Sequence, residues 1–217
     1  MAYGFSGNRL GKGKSLCDAT DNYTVVDVET TGLDSWAELI EIGAVRVRGH
    51  QVAEEFQIFV RPSYSVPREI TMLTGITNSM VRAAPLPDEA VKAFLKFAGG
   101  DILLGHNVNF DVNFLYDASR RFLSSPLAND FVDTRKLTKK FFPHLADHKL
   151  ATLKGHFRIV TDQAHRAVHD CVATKQVYDV CRLEAEKNGM NVEQYFKSIA
   201  RAERKAAAQR RALRGAG

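Results

Sequence analysis

Tyr23 to Glu29 (YTVVDVE) is an apolar, β-branched run that stops at a Thr30-Thr31-Gly32 turn, the pattern of a buried strand. Leu39 to Val47 and Val52 to Val60 repeat that signal on either side of the turn Arg48-Gly49-His50, so the three runs predict an antiparallel meander. Beyond it, helices and short strands alternate. Pro67 and Gly75 bracket a helix over Pro67 to Thr74, and Asp88 is placed to cap a helix over Glu89 to Ala98 that stops at Gly99-Gly100. Ile102 to Gly105 reads as a strand, Asn109 to Phe122 as a helix and Phe131 to Asp133 as a short strand. Asp133 is placed to cap a helix from Arg135 to Phe142 that Pro143 ends; helices near Lys149 to Phe157 and from about Arg166 to Lys187 follow. A meander followed by βα units predicts an α/β fold, a mixed sheet flanked by helices.

Residues 1–21 are rich in glycine and lysine without a period and read as a flexible leader; 22–187 form the domain; 188–217 read as a basic tail, helical if ordered, with Asn191 and Gln194 spaced as a capping box. A chain of 217 residues suits one domain plus tails. With 45% hydrophobic and 25% charged residues, a disordered or fibrous chain is excluded. No apolar run approaches the about 18 residues of a membrane span, and no apolar stretch follows the N-terminal basic residues as in a secretory signal, so a cytoplasmic protein is expected. Cys17, Cys171 and Cys181 contain no CxxC pair and argue against a disulfide framework or structural zinc. Cys171 and Cys181 share a helical stripe with Thr174, Tyr178 and Ala185, as small core residues do. From Arg201 onward, six basic residues face the single acid Glu203, which accounts for the whole formal +5. Such a tail on a neutral body suits a polyanion, or a docking segment.

Gly11-Lys12-Gly13-Lys14-Ser15 imitates a phosphate loop, but position 8 holds Asn8 where the motif needs glycine, and no strand signal precedes it. The informative residues are acids in costly places. Asp27 and Glu29, two apart in an apolar strand, emerge on one face, where they either flank a cation or lie at the strand's wet end. Asp111 in GHNVNFD (105–111) and Asp170 in HRAVHD (165–170) each fall in a first helical turn, where complementing the helix dipole is the alternative to metal binding. His144, His148, His156 and His169 lack ligand spacing and read as ordinary surface or packing histidines.

Taken together, VVDVETTGL, ITMLTGIT, GHNVNFDVNFL, FVDTRKL and AHRAVHDCVAT, spread over Asn22 to Glu186, resemble the histidine variant of the DEDD family of 3′ to 5′ exonucleases, and most of all the proofreading exonucleases of bacterial DNA polymerase III, epsilon-type or PolC-type. The resemblance implies a ribonuclease H-like mixed five-stranded sheet flanked by helices. It implies that Asp27, Glu29, Asp111 and Asp170 bind two divalent cations, Mg²⁺ or Mn²⁺, and that His165 is the general base. It also implies that Thr30, Thr31, Leu33, Leu73, Thr74, His106, Asn107 and Phe110 surround the terminal nucleotide. Four carboxylates balance two divalent charges, and all-oxygen ligands favour hard ions. The expected partners are single-stranded nucleic acid, DNA before RNA, and a DNA polymerase; no membrane is implied. An exoribonuclease of this fold, and a non-catalytic polymerase-docking module that kept it, are the alternatives.

Overall fold

The computed structural model describes residues 9–161 and 166–215. Its strands are β1 (Ser15–Leu16), β2 (Tyr23–Thr30), β3 (Leu39–Arg48), β4 (Gln51–Phe59), β5 (Ile102–Gly105) and β6 (Phe131–Asp133). They form one sheet in the order β1-β6-β5-β2-β3-β4. β1, β6, β5 and β2 run parallel, and β3 and β4 continue antiparallel, so β2 is where the sheet changes from one mode to the other. The mixed sheet is as expected, but it has six strands and not five.

The sixth strand comes from the stretch read as a leader. Lys14 O accepts from Phe131 N at 2.9 Å, and a side chain at Gly13 would overlap the backbone of Asn129 and Asp130. The glycine of the false phosphate loop is thus a packing requirement at the sheet edge. A two-residue strand carries no hydrophobic period, which is why composition alone reads as a loose leader.

The helices are α1 (Arg68–Thr74), α2 (Asn78–Arg82), α3 (Pro87–Ala98), α4 (Asn109–Leu123), α5 (Thr134–Phe141), α6 (Leu150–Phe157), α7 (Ala167–Lys187) and α8 (Val192–Gly215). α3 begins one residue before the predicted cap. Pro87 holds the first position, Asp88 lies in the first turn, and Glu89 reaches back to Leu86 N at 3.2 Å. The predicted caps at Asp133 and at Asn191 with Gln194 are present: Asp133 Oδ1 accepts from Arg135 N, and the two tail side chains bond each other's backbone.

Period-two alternation along β2 sorts two cores. Val26 and Val28 face α3 and α4, with Phe94, Val112 and Leu115; Tyr23 and Val25 face α7, with Cys171, Tyr178 and Cys181. The start of α8 belongs to the second core, since Val192 is buried and Tyr195 packs on Phe141 with ring centroids 4.7 Å apart. Among the described residues, no helix is long and apolar enough to cross a membrane.

Candidate active site

The same alternation turns Asp27 and Glu29 toward α7, at the carboxyl end of the central strand. Asp170, in the first turn of α7, meets them: one carboxylate oxygen from each of the three lies within 4.8 Å of the others. Asp111, in the first turn of α4, is buried, and its Oδ1 accepts from Val28 N at 3.0 Å. That bond fixes a fourth carboxylate against the residue between Asp27 and Glu29. Two acids of one strand are joined by two distant in sequence because the amino ends of two helices, one from each layer, converge on that strand.

α7 approaches this closely through β3. Gly43 pairs with Asp27, and a Cβ on it would collide with the backbone of Ala167 and Val168. Two pairs further along the ladder, Glu41 lies opposite Glu29 and is fully buried. Its carboxylate accepts from Arg166 Nη2 at 3.2 Å, from Ala167 N at 3.3 Å and from Gln57 Nε2. A buried acid is stable only when paired and hydrogen-bonded, and Arg166 together with the first amide of α7 does both. Glu41 therefore ties the start of α7 to the sheet. The sequence reading passed over it, although an acid inside the apolar run LIEIGAV carries the same signal that singled out Asp27 and Glu29.

Burial, followed by repulsion from Asp111, Glu29 and Asp170, pushes Asp27 well above the usual carboxylate range. Burial and then Glu41 push Glu29 up to about 8, and burial pushes Asp111 up to about 7. The donor set of carboxylate oxygens fits hard divalent cations. The consequence for stability has a definite sign. The unfolded acids ionise near pH 4, so between there and about pH 8 the cation-free native state holds more protons and loses stability as pH rises. Thermal unfolding is expected to show Mg²⁺ or Mn²⁺ raising the melting temperature clearly at pH 8 and little at pH 5. An equal effect at both would mean that the ion binds elsewhere.

The other predicted residues fall into three groups. His165 lies outside the described residues. Leu33 is 87% exposed beyond the Thr-Thr-Gly turn, while Phe110 is half-buried and pairs with Phe114 at 4.7 Å between centroids. The remaining ones make bonds within the protein. Thr30 Oγ1 donates to Gly32 O at 2.5 Å, and Thr31 Oγ1 accepts from Glu38 N at 2.9 Å and pairs with the Tyr64 hydroxyl. Thr74 bonds Ile70 O and Ile76 N across the end of α1, where Leu73 is exposed. His106 is bonded through both ring nitrogens, Nδ1 to the Thr134 hydroxyl and Nε2 to His148 O. Burial lowers its pKa, and Nε2, facing a carbonyl oxygen, donates to His148 O. Asn107, with φ +64°, donates its backbone N–H to Asp133 Oδ1, so Asp133 holds this turn as well as capping α5. His169 is half-buried, with a shielded Nδ1 that has no hydrogen-bond partner among the described residues.

An acid cluster at the carboxyl end of the central strand of such a sheet is the arrangement of a ribonuclease H-like nuclease. The chain belongs to the exonuclease family, whose model, described as Exonuclease, matches residues 24–178. It is 38% identical over 167 residues to the DNA polymerase III PolC-type of Caldanaerobacter subterraneus subsp. tengcongensis, 76% of this chain and 12% of that protein. It is 35% identical over 165 residues to the DNA polymerase III subunit epsilon of Aquifex aeolicus, 76% of this chain and 81% of that one. The chain therefore spans about an eighth of the PolC-type relative and most of the epsilon subunit. Among solved structures, exonuclease X in complex with 5′ overhanging duplex DNA superposes with a TM-score of 0.63 at 22% identity, over 82% of this chain and 99% of that one. E. coli exonuclease I in complex with a dT13 oligonucleotide gives 0.67 at 19% identity, over 77% and 42%. At such identities these two establish the ribonuclease H-like fold alone.

Proposed function

We propose that the protein is a metal-dependent 3′ to 5′ exonuclease that removes nucleotides from the end of single-stranded DNA in the cytoplasm, releasing nucleoside 5′-monophosphates. The observation that carries this reading is the convergence of Asp27, Glu29 and Asp170 within 4.8 Å, with Asp111 bonded beside them. A cluster of carboxylates is a poor surface for an anionic strand unless cations intervene. Two Mg²⁺ or Mn²⁺ ions held by these four side chains would lower the pKa of water and stabilise the charge developing on phosphate oxygens.

The rest of the chemistry belongs to the chain. His165 takes the proton of the attacking water as the new oxygen–phosphorus bond forms, and the bond from phosphorus to the 3′ oxygen of the shortened strand breaks. Thr30 and Thr31, tied down by their own hydrogen bonds, hold the turn that presents Leu33, whose apolar side chain lies against the terminal base. A strand must be unpaired for its last base to enter, hence the single-strand preference. DNA is chosen over RNA because the relatives are named as DNA polymerase III components and the two neighbours hold DNA. A DNA polymerase is the protein partner this reading names.

The test uses matched single strands of DNA and RNA, each labelled at one end, in Mg²⁺ and in excess chelator. Release of 5′-monophosphates from the 3′ end of DNA is expected in Mg²⁺ and should vanish with chelator. Faster release from RNA would transfer the assignment to an exoribonuclease, and binding without release would make the chain a docking module.

A further inference from the structure

The family match ends at residue 178, inside α7, and α8 follows after a turn at Gly189, whose φ is +68°. α8 is anchored to the domain: Tyr195 and Phe196 pack on Phe141 with ring centroids 4.7 and 6.5 Å apart, and Glu203 pairs with Lys140 on α5. That ion pair turns the single acid of the basic stretch toward the body. Lys197, Arg201 and Lys205, spaced four residues apart, fall on one face in consecutive turns, about 6 Å apart along the axis. With Met190 and Gln194 they line an open groove of about 780 Å³ beside the turn. We propose that this groove binds the phosphate backbone of the single strand, on the 5′ side of the nucleotides being removed. The inference deepens the exonuclease reading and rests on it.

Charge selects the occupant. Lys197 is matched by Glu193 at 2.6 Å, whereas Arg201 and Lys205 have no carboxylate partner among the described residues, so the groove keeps two positive charges in excess. Gln194 adds a donor, since its Oε1 accepts from Asn191 N at 3.1 Å and its NH₂ group is left to donate. A row of cations at a regular spacing fits a polymer that carries one negative charge per nucleotide. A protein interface, by contrast, centres on a desolvated aromatic anchor, and among the described residues no aromatic ring lines this groove. Phosphates require none. Distance then fixes which part of the strand is held. From Asp170 to Lys187 the axis of α7 runs roughly 26 Å, so the groove lies at the far end of that helix from the acid cluster. It is out of reach of the terminal nucleotide and, at roughly 3.4 Å per stacked nucleotide, lies about eight nucleotides back along the strand.

The experiment measures binding against salt concentration by fluorescence anisotropy in Ca²⁺, with a labelled single strand of about thirty nucleotides and a labelled trinucleotide too short to span from the acid cluster to the groove. It compares wild type with the double variant Arg201→Ala, Lys205→Ala. Both side chains are exposed and alanine favours a helix, so the fold is retained. A second double variant, Lys92→Ala with Lys96→Ala, removes the same formal charge from exposed positions of α3, on the opposite face of the sheet. Each phosphate contact adds about 0.7 to the slope of log K against log salt on a single strand, so the groove variant should lose about 1.4 with the long strand. The α3 variant should keep the wild-type slope. An unchanged long-strand slope in the groove variant would overturn the proposal and leave the groove to an acidic protein surface. An equal fall in the α3 variant would reduce the effect to net charge and overturn it as well, as would an equal fall with the trinucleotide. Nucleotide release in Mg²⁺ is followed separately: its absence in wild type sinks the exonuclease reading, while the salt slope still judges the groove by itself.

Discussion

Asp27→Asn is expected to lower nucleotide release by at least about 10²- to 10³-fold, the scale on which a single preorganised electrostatic group acts. Asparagine keeps the size of the side chain and one oxygen while removing the charge, so the change tests the carboxylate and not the packing. In excess chelator the variant should melt no lower than wild type, because burial and four neighbouring acids already oppose ionisation of Asp27. Loss of activity with unchanged or higher melting temperature identifies a functional acid kept at the expense of stability. A variant that keeps full activity, or simply unfolds, would move Asp27 out of the proposed chemistry.

His165→Ala is expected to reduce turnover by roughly 10² to 10⁴ at saturating metal, since the carboxylates remain. The wild-type rate should fall on the acid side as the imidazole takes a proton, and that limb should flatten in the variant. His169→Ala is the matched control: it lies one residue from Asp170, and its Nδ1 is shielded from solvent without a partner among the described residues. Its rate should stay close to wild type. If His169→Ala carried the large loss instead, the two histidines of HRAVHD would have to exchange roles.

The meander, the βα units and the carboxylates at 27 and 29 were legible because each violates or satisfies a local rule: apolar alternation, a glycine stop, an acid where an acid is costly; Asp111 and Asp170, in first helical turns where an acid is ordinary, stood out only through the family resemblance. β1 and α2 were not, since two strand residues or five helical ones are too short for a period to emerge. Glu41 was overlooked for another reason. Its role depends on Arg166 and Ala167, more than a hundred positions away, and local pattern cannot reveal a partner at that distance. The internal hydrogen bonds of His106 and Thr31 were not legible either, since their partners lie far along the chain or across a turn.

β1 has a consequence for the order in which the molecule assembles. β2, β3 and β4 pair across short turns, whereas Ser15 meets Phe131, which is made 116 residues later. Synthesis at about 5–20 residues per second gives the meander several seconds to form before that partner emerges from the ribosome. Closing so long a loop carries an entropic cost that only a nearly complete sheet edge offsets. The first described segment of the chain thus waits for partners made more than a hundred residues later, and a nascent chain can gather β2, β3 and β4 before Arg9 reaches Asp117.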